Sequence, residues 1–280
     1  MSRSRRKKKQ DSRAGAEALL AEWQKERLLR DRDFPLPPPG PSEITVVTHF
    51  APGASNRDEA LERLQCALME TWRNCGFMLT TIVADRETPA LEEFASGFGG
   101  KVEVQIELGI RSARKCDIAA DRAAKLPLRF RTSVALVVSA DAFPVRPGIG
   151  SFVDKFDFVG APCALSESWI ARAVSSFFGI RAMDGDFSLR SRKLCENVAK
   201  AWKAHFGGKA VPESFSDGLF ATSFLPSRSI SFRREMRLPS FSEAQRFSVG
   251  GSGSVRAPAA LPFGVSGVQA FACLNRAGLI

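Results

Sequence analysis

The chain has 280 residues, 44% of them hydrophobic and 25% charged, which is the make-up of an ordinary globular protein and excludes a wholly disordered chain. No apolar run approaches a membrane span, so an integral membrane protein is excluded, and the polar start MSRSRRKKKQ excludes a secretory signal. The net charge of +10 is uneven: residues 1–33 hold 11 Lys/Arg against 6 Asp/Glu, so half of the excess sits on a short leading piece.

Six of the seven residues Arg3–Lys9 are basic, and residues 1–13 read as a disordered basic arm. Such an arm suits an anionic partner, either a membrane surface or a nucleic acid, or serves as a nuclear-import signal. Residues 14–33 follow as a helix, with Leu19, Leu20, Trp23 and Leu28 as a partial apolar stripe. Residues 34–42 hold five prolines within eight positions, which no helix can continue. They read as a stiff linker and the boundary of a domain over 43–280. Within it Ile44–Phe50, Phe77–Ala84, Val102–Glu107 and Ser133–Val138 read as strands. Helices are expected at 58–73, 89–95 and 112–125. This alternation predicts an α/β domain with a mostly parallel central sheet flanked by helices. After Asp141 the rhythm breaks into loops, short strands and one clear helix at 192–205, an irregular C-terminal half. Residues 249–254 (VGGSGS) read as a loop.

The six cysteines are scattered and only His49 and His205 supply imidazoles, so neither a zinc site nor a Ser-His-Asp hydrolase has the material it needs. The thiols read as free, which suits a cytoplasmic chain. No phosphate-cradling loop with a Gly-Lys-Ser/Thr ending occurs. The informative residue is Asp141, just past the carboxyl end of a buried strand, the edge at which open α/β sheets bind ligands. A carboxylate there reads equally as a Mg²⁺ or Mn²⁺ ligand or as a turn residue.

Around it stands an ordered set: Val138-Ser-Ala-Asp141, Phe156-Asp-Phe-Val-Gly-Ala-Pro162, Asp184-Gly-Asp-Phe-Ser-Leu-Arg-Ser191, Val211-Pro-Glu213 and Leu261-Pro-Phe-Gly264. The set resembles a family of glycosyltransferase-like proteins with a GT-A type sheet. That family shows Gln-x-Asp, Tyr-Asp-Tyr-Ile-Gly-Ala-Pro-Trp, Gly-Asn-Gly-Gly-Phe-Ser-Leu-Arg, Pro-Glu-Asp and a Phe-Gly-x-His turn. The resemblance covers roughly residues 44–272. This chain departs from it at Ser139 (for Gln), Phe156 and Phe158 (for Tyr), Cys163 (for Trp), Asp184 and Asp186 (for Asn and Gly), Ser214 (for Asp) and Ser266 (for His).

The resemblance implies a nucleotide-sugar donor and transfer of its sugar to an acceptor hydroxyl. Thr48, His49, Asp85, Ser139 and Asp141 would line the donor pocket, and Asp141 would hold a divalent cation, Mn²⁺ or Mg²⁺, on the diphosphate. A satisfied strand-end histidine is an equal reading of His49. Asp184, Gly185, Asp186 and Arg190 would form the acceptor side. Glu213 is the expected general base, with Asp217 in reserve. The departures leave a weakened paralogue that only binds sugars or nucleotides as the first alternative. A nucleic-acid-associated protein acting through the basic arm is the second.

Overall fold

A computed structural model describes residues 3–30, 37–52, 56–110, 114–163, 182–207, 209–250 and 260–280. A six-stranded sheet has the order β3-β2-β1-β4-β7-β6, with β1 Ile44–Phe50, β2 Leu79–Ala84, β3 Val102–Ile106, β4 Val134–Val138, β6 Phe158–Pro162 and β7 Met183–Ser191. β3, β2, β1 and β4 pair in parallel, and β7 runs antiparallel between β4 and β6. Five of the six strands therefore point one way, and the mostly parallel α/β sheet read from the sequence is the architecture observed. A second sheet joins β5 (Ala142–Pro144), β9 (Gly264–Ser266) and β8 (Ser248–Gly250).

Helices cover both faces of the main sheet. That is why β1 and β4 are buried at nearly every position rather than at alternate ones, and why β4 is apolar throughout. On one face α2 (Arg57–Cys75) presents Leu61, Leu64, Leu68 and Trp72 at helical spacing to Ile44, Val46, Ile82 and Leu136. On the other, α4 (Lys115–Lys125) and α5 (Arg192–Phe206) lie over Val47, Val83, Ala135 and Val137, with Leu126, Phe130 and Cys195 in the same cluster. Ser191 caps α5 by accepting from the Leu194 amide. The irregular half contains a helical run over 217–228, then α6 (Ile230–Glu235), α7 (Phe241–Phe247) and α8 (Val268–Arg276), with α3 (Pro89–Ser96) lying earlier, beside β3. The loop expected at 249–254 is strand at Val249 and Gly250; its remaining residues lie outside those described.

The leading segment differs from expectation. Helix α1 spans Arg3–Arg30, so the backbone of the expected basic arm continues the helix expected from residue 14. Nor does α1 stand apart across a linker. Leu20 has no exposed surface and shares a cluster with Phe143, Val265, Phe271 and Leu274. The Trp23 ring stacks on Phe143 at 5.8 Å and meets Phe271 edge-on at 5.1 Å. The part of the proline-rich stretch that is described is tied down as well: Gly40 N donates to Phe77 O, and Phe77 N to Pro38 O. The expected boundary at 34–42 gives way because the stripe of α1 is the cover that β5, β9 and α8 need. Among the described residues no helix is long and apolar enough to cross a membrane.

Candidate functional site

Parallel register brings the carboxyl ends of β1, β2 and β4 to one edge: Phe50 lies beside Ala84, and Thr48 beside Val138. β4 leaves that edge through a two-residue turn. Ser139 and Ala142 exchange both backbone hydrogen bonds, at 2.9 and 3.0 Å, leaving Ala140 and Asp141 at the tip. The Ser139 hydroxyl donates to Asp141 Oδ1 at 2.9 Å. Because β7 is antiparallel and Ser188 pairs with Val137, its first residues, Met183 to Asp186, run on past the end of β4 over the same edge.

Two residues side by side at the end of β9 join these pieces. The Ser266 hydroxyl donates to Asp184 Oδ2 at 2.6 Å, while the Gly267 amide donates to the Asp141 carbonyl at 2.8 Å. From α4 the Lys115 ammonium reaches Asp186 at 3.5 Å. Its pKa is raised by Asp186 first, against some desolvation, and further by Asp141 and Asp184. Asp141, Asp184, Asp186, Ser266 and Lys115 thus make one cluster. Burial, with the charge of Asp186 added, pushes the Asp184 carboxyl up. Burial pushes Asp186 up too, but Arg122 and Lys115 outweigh it and hold that carboxyl low.

Under the turn lies a buried charge network. Arg122 donates to Gly185 O at 2.8 Å and to Asp186 Oδ1 at 2.7 Å. Arg190 donates to the same carbonyl at 2.9 Å. Asp217 faces both arginines, 2.6 Å from Arg190 Nη2 and 3.8 Å from Arg122 Nε, and is 2% exposed. A Cβ on Gly185 would stand 2.6 Å from Asp217 Oδ1, so only glycine lets the backbone sit this close to the three charges. Asp217 is therefore not a reserve base. Its carboxylate is consumed in balancing two buried guanidiniums. Glu213, the expected base, is exposed and within electrostatic reach of Arg114.

Three residues expected in a donor pocket are turned inward. Thr48 is fully buried, and its hydroxyl has no hydrogen-bond partner among the described residues. Asp85 is closed off by Arg57, which donates to it at 2.6 and 3.4 Å. His49 Nε2 lies 3.0 Å from Asp121 Oδ2, deep under α4. This is the satisfied-histidine reading: the side chain is held by an internal partner. Of the expected donor set, Thr48 and Asp85 are buried and the His49 side chain is 4% exposed, while Ser139 and Asp141 keep partial exposure. On either side of α6, Arg228 lies over Phe224 and Arg237 pairs with Asp157 at 3.2 Å.

Burial lowers the His49 pKa below its ordinary value and outweighs the pull of Asp121 the other way. The unfolded chain therefore binds a proton that the folded chain refuses. Stability is complete above about pH 6.5 and declines as pH falls below it. Urea unfolding at about pH 7.5 and about pH 5.5 should show that loss, and His49→Gln should remove most of it. An unchanged pH slope in the variant would mean that His49 binds protons alike in the folded and unfolded chains.

The divalent cation implied by the sequence resemblance does not fit these donors. Among the described residues no three His, Cys, Asp or Glu side chains are close enough together to hold a metal ion. Asp184 accepts from Ser266 and from the Asp186 amide. Asp186 is taken by Arg122 and Lys115. One oxygen of Asp141 accepts from Ser139. The carboxylate oxygens that a hard cation would take are thus largely engaged, and the positive charge among them is already the Lys115 ammonium.

Sequence reading missed Lys115 and Arg122, although their spacing of seven puts both on one helix face, and it noted Ser266 only as a departure. The profile of a family described as protein of unknown function (DUF5672) matches residues 128–266, a span holding Asp141, Asp184, Asp186 and Ser266 but not Lys115. No curated protein sequence matches the chain. Solved structures similar to it include a mannosyltransferase from Pyrobaculum calidifontis in complex with GDP-Man and Mn²⁺, 14% identical over 75% of this chain, with a TM-score of 0.40. This chain spans 59% of that protein. Core-mannan synthase A from Aspergillus fumigatus, in its Mn/GDP form, is 8% identical over 68% of this chain and 69% of its own, with a TM-score of 0.40. The mannosyltransferase Ktr4p from S. cerevisiae is 9% identical over 82% and 77%, with a TM-score of 0.40.

Proposed function

We propose that the chain is a glycosyltransferase that moves a sugar from a nucleotide-sugar donor to an acceptor hydroxyl at the Asp141–Asp184–Asp186 cluster. The observation that carries the reading is the pair of bonds from Ser266 and Gly267 to Asp184 and Asp141. They draw three of the separate motifs that resemble the glycosyltransferase-like family onto the ligand-binding edge of a parallel sheet.

In the reaction the acceptor hydroxyl oxygen forms a bond to the anomeric carbon. The bond from that carbon to the donor's phosphate oxygen breaks, and the diphosphate leaves with the electron pair. The hydroxyl proton goes to a carboxylate. Asp184 is the better-placed base than Glu213, because burial raises its proton affinity and it stands inside the cluster. Lys115, with 76% of its side chain exposed, is the positive charge that meets the leaving diphosphate. No step is routed through a metal.

The test is release of nucleoside diphosphate from a panel of nucleotide sugars. Asp184→Asn should lower turnover by about 10²–10⁴-fold, the usual worth of a general base, and Glu213→Gln should change it little. Nucleotide binding without turnover in the parent chain would replace this reading with the binding paralogue, for which the Arg57–Asp85 closure on the donor side speaks. Absence of any nucleotide binding would overturn both.

A further inference from the structure

Helix α1 is a part of this site rather than an appendage. We infer that Gln24 is a positioning residue that sets the orientation of the turn carrying Asp141. The inference rests on the proposed function only in taking Asp141 as a site residue.

The turn cannot satisfy its own backbone. Ser139 and Ala142 pair with each other, which leaves the carbonyls of Ala140 and Asp141 pointing outward from the hairpin. Each is met by a donor from a different part of the fold. Gly267 N serves Asp141 O. The Gln24 side-chain amide serves Ala140 O at 2.7 Å, across 116 positions of sequence. Ala140 O belongs to the peptide bond that enters Asp141, so its direction sets the plane from which the Asp141 side chain leaves.

Gln24 is suited to hold that direction. It is 1% exposed, so no water competes for the bond. Its own orientation is fixed from the other side, because Arg63 Nε of α2 donates to its Oε1 at 3.2 Å. The ring stack of Trp23 on Phe143, two residues past Asp141, fixes α1 against the outgoing strand as well. One helical turn thus holds both the tip of the hairpin and its exit. An amide is the group that does this: it donates to a carbonyl with one end and accepts from a guanidinium with the other.

That dual use gives a clean test. Gln24→Glu keeps the acceptor for Arg63 but can no longer donate to Ala140 O; Gln24→Leu removes both bonds. Amide hydrogen exchange at Ser139 and Ala142, followed in the full chain, reads the opening of the turn directly. Both variants should exchange there about tenfold faster or more, with exchange in α2 rising less and the circular dichroism unchanged. Equal acceleration in the two variants assigns the effect to the Ala140 bond. If Gln24→Glu exchanges like the parent while Gln24→Leu is faster, Gln24 acts only through Arg63 and the inference is overturned. It is also overturned if the turn opens no more than the rest of the sheet. Where a donor is turned over, both variants should lower kcat more than they raise KM. Exchange decides the matter even if no donor is found, so failure of the transferase reading and failure of this one remain distinct.

Discussion

Replacing Leu20 by alanine should lower the unfolding free energy by about 2–5 kcal/mol. Leu20 has no exposed surface and packs among Phe143, Val265 and Phe271, which come from three different elements. The loss combines the transfer of its methyl and methylene groups with a void that the surrounding rings cannot collapse to fill. Removal of residues 1–30 should go further. It removes Trp23 and so uncovers Phe143 and Phe271, and it leaves the Ala140 carbonyl without Gln24. The shortened chain is expected to aggregate, or to melt far below the parent. Urea unfolding of Leu20→Ala and a solubility assay of the deletion check this. A deletion that melts with the parent would return α1 to the status of a separate arm.

Substitution of Asp217 by alanine is expected to cost about 3–5 kcal/mol, the typical price of breaking a buried ion network from one side. The carboxylate is 2% exposed and balances Arg190 and Arg122, themselves almost fully buried. Without it two guanidiniums would share a dry space, both still aimed at the Gly185 carbonyl. The damage would therefore reach Asp184 and Asp186 at the start of β7. Asp217→Asn should cost less, since the amide fills the same volume and accepts one hydrogen bond. Chemical unfolding separates the two variants, and Glu213→Ala, on an exposed side chain, serves as the control with little change. Equal stability of Asp217→Ala and the parent would show that water enters the network.

The sheet was legible from the chain because its signals are local. Continuous apolar runs such as Val134–Val138 and the helical stripe Leu61, Leu64, Leu68 and Trp72 are written within one element, and their alternation dictates crossovers and parallel pairing. Asp141 was legible for the same reason: it follows a buried strand. The helical character of 14–30 was plain too, but not its attachment. A partial stripe shows that a helix needs a partner without saying where the partner is, and the prolines after it look the same in a free spacer as in a segment bound to Phe77.

Local pattern therefore sets the type and order of most elements and the edge at which Asp141 emerges. What each charged group does depends on its partners across the fold. Arg122 meets Asp186 across 64 positions, Ser266 meets Asp184 across 82, and Gln24 meets Ala140 across 116. A carboxylate becomes a base, a counter-ion or a core partner according to which cation lies within a few ångströms and how much water remains. Hence Asp217 and Asp184, both acidic residues beside a glycine, take opposite roles: one is spent on two arginines and the other is left beside a serine with its pKa raised.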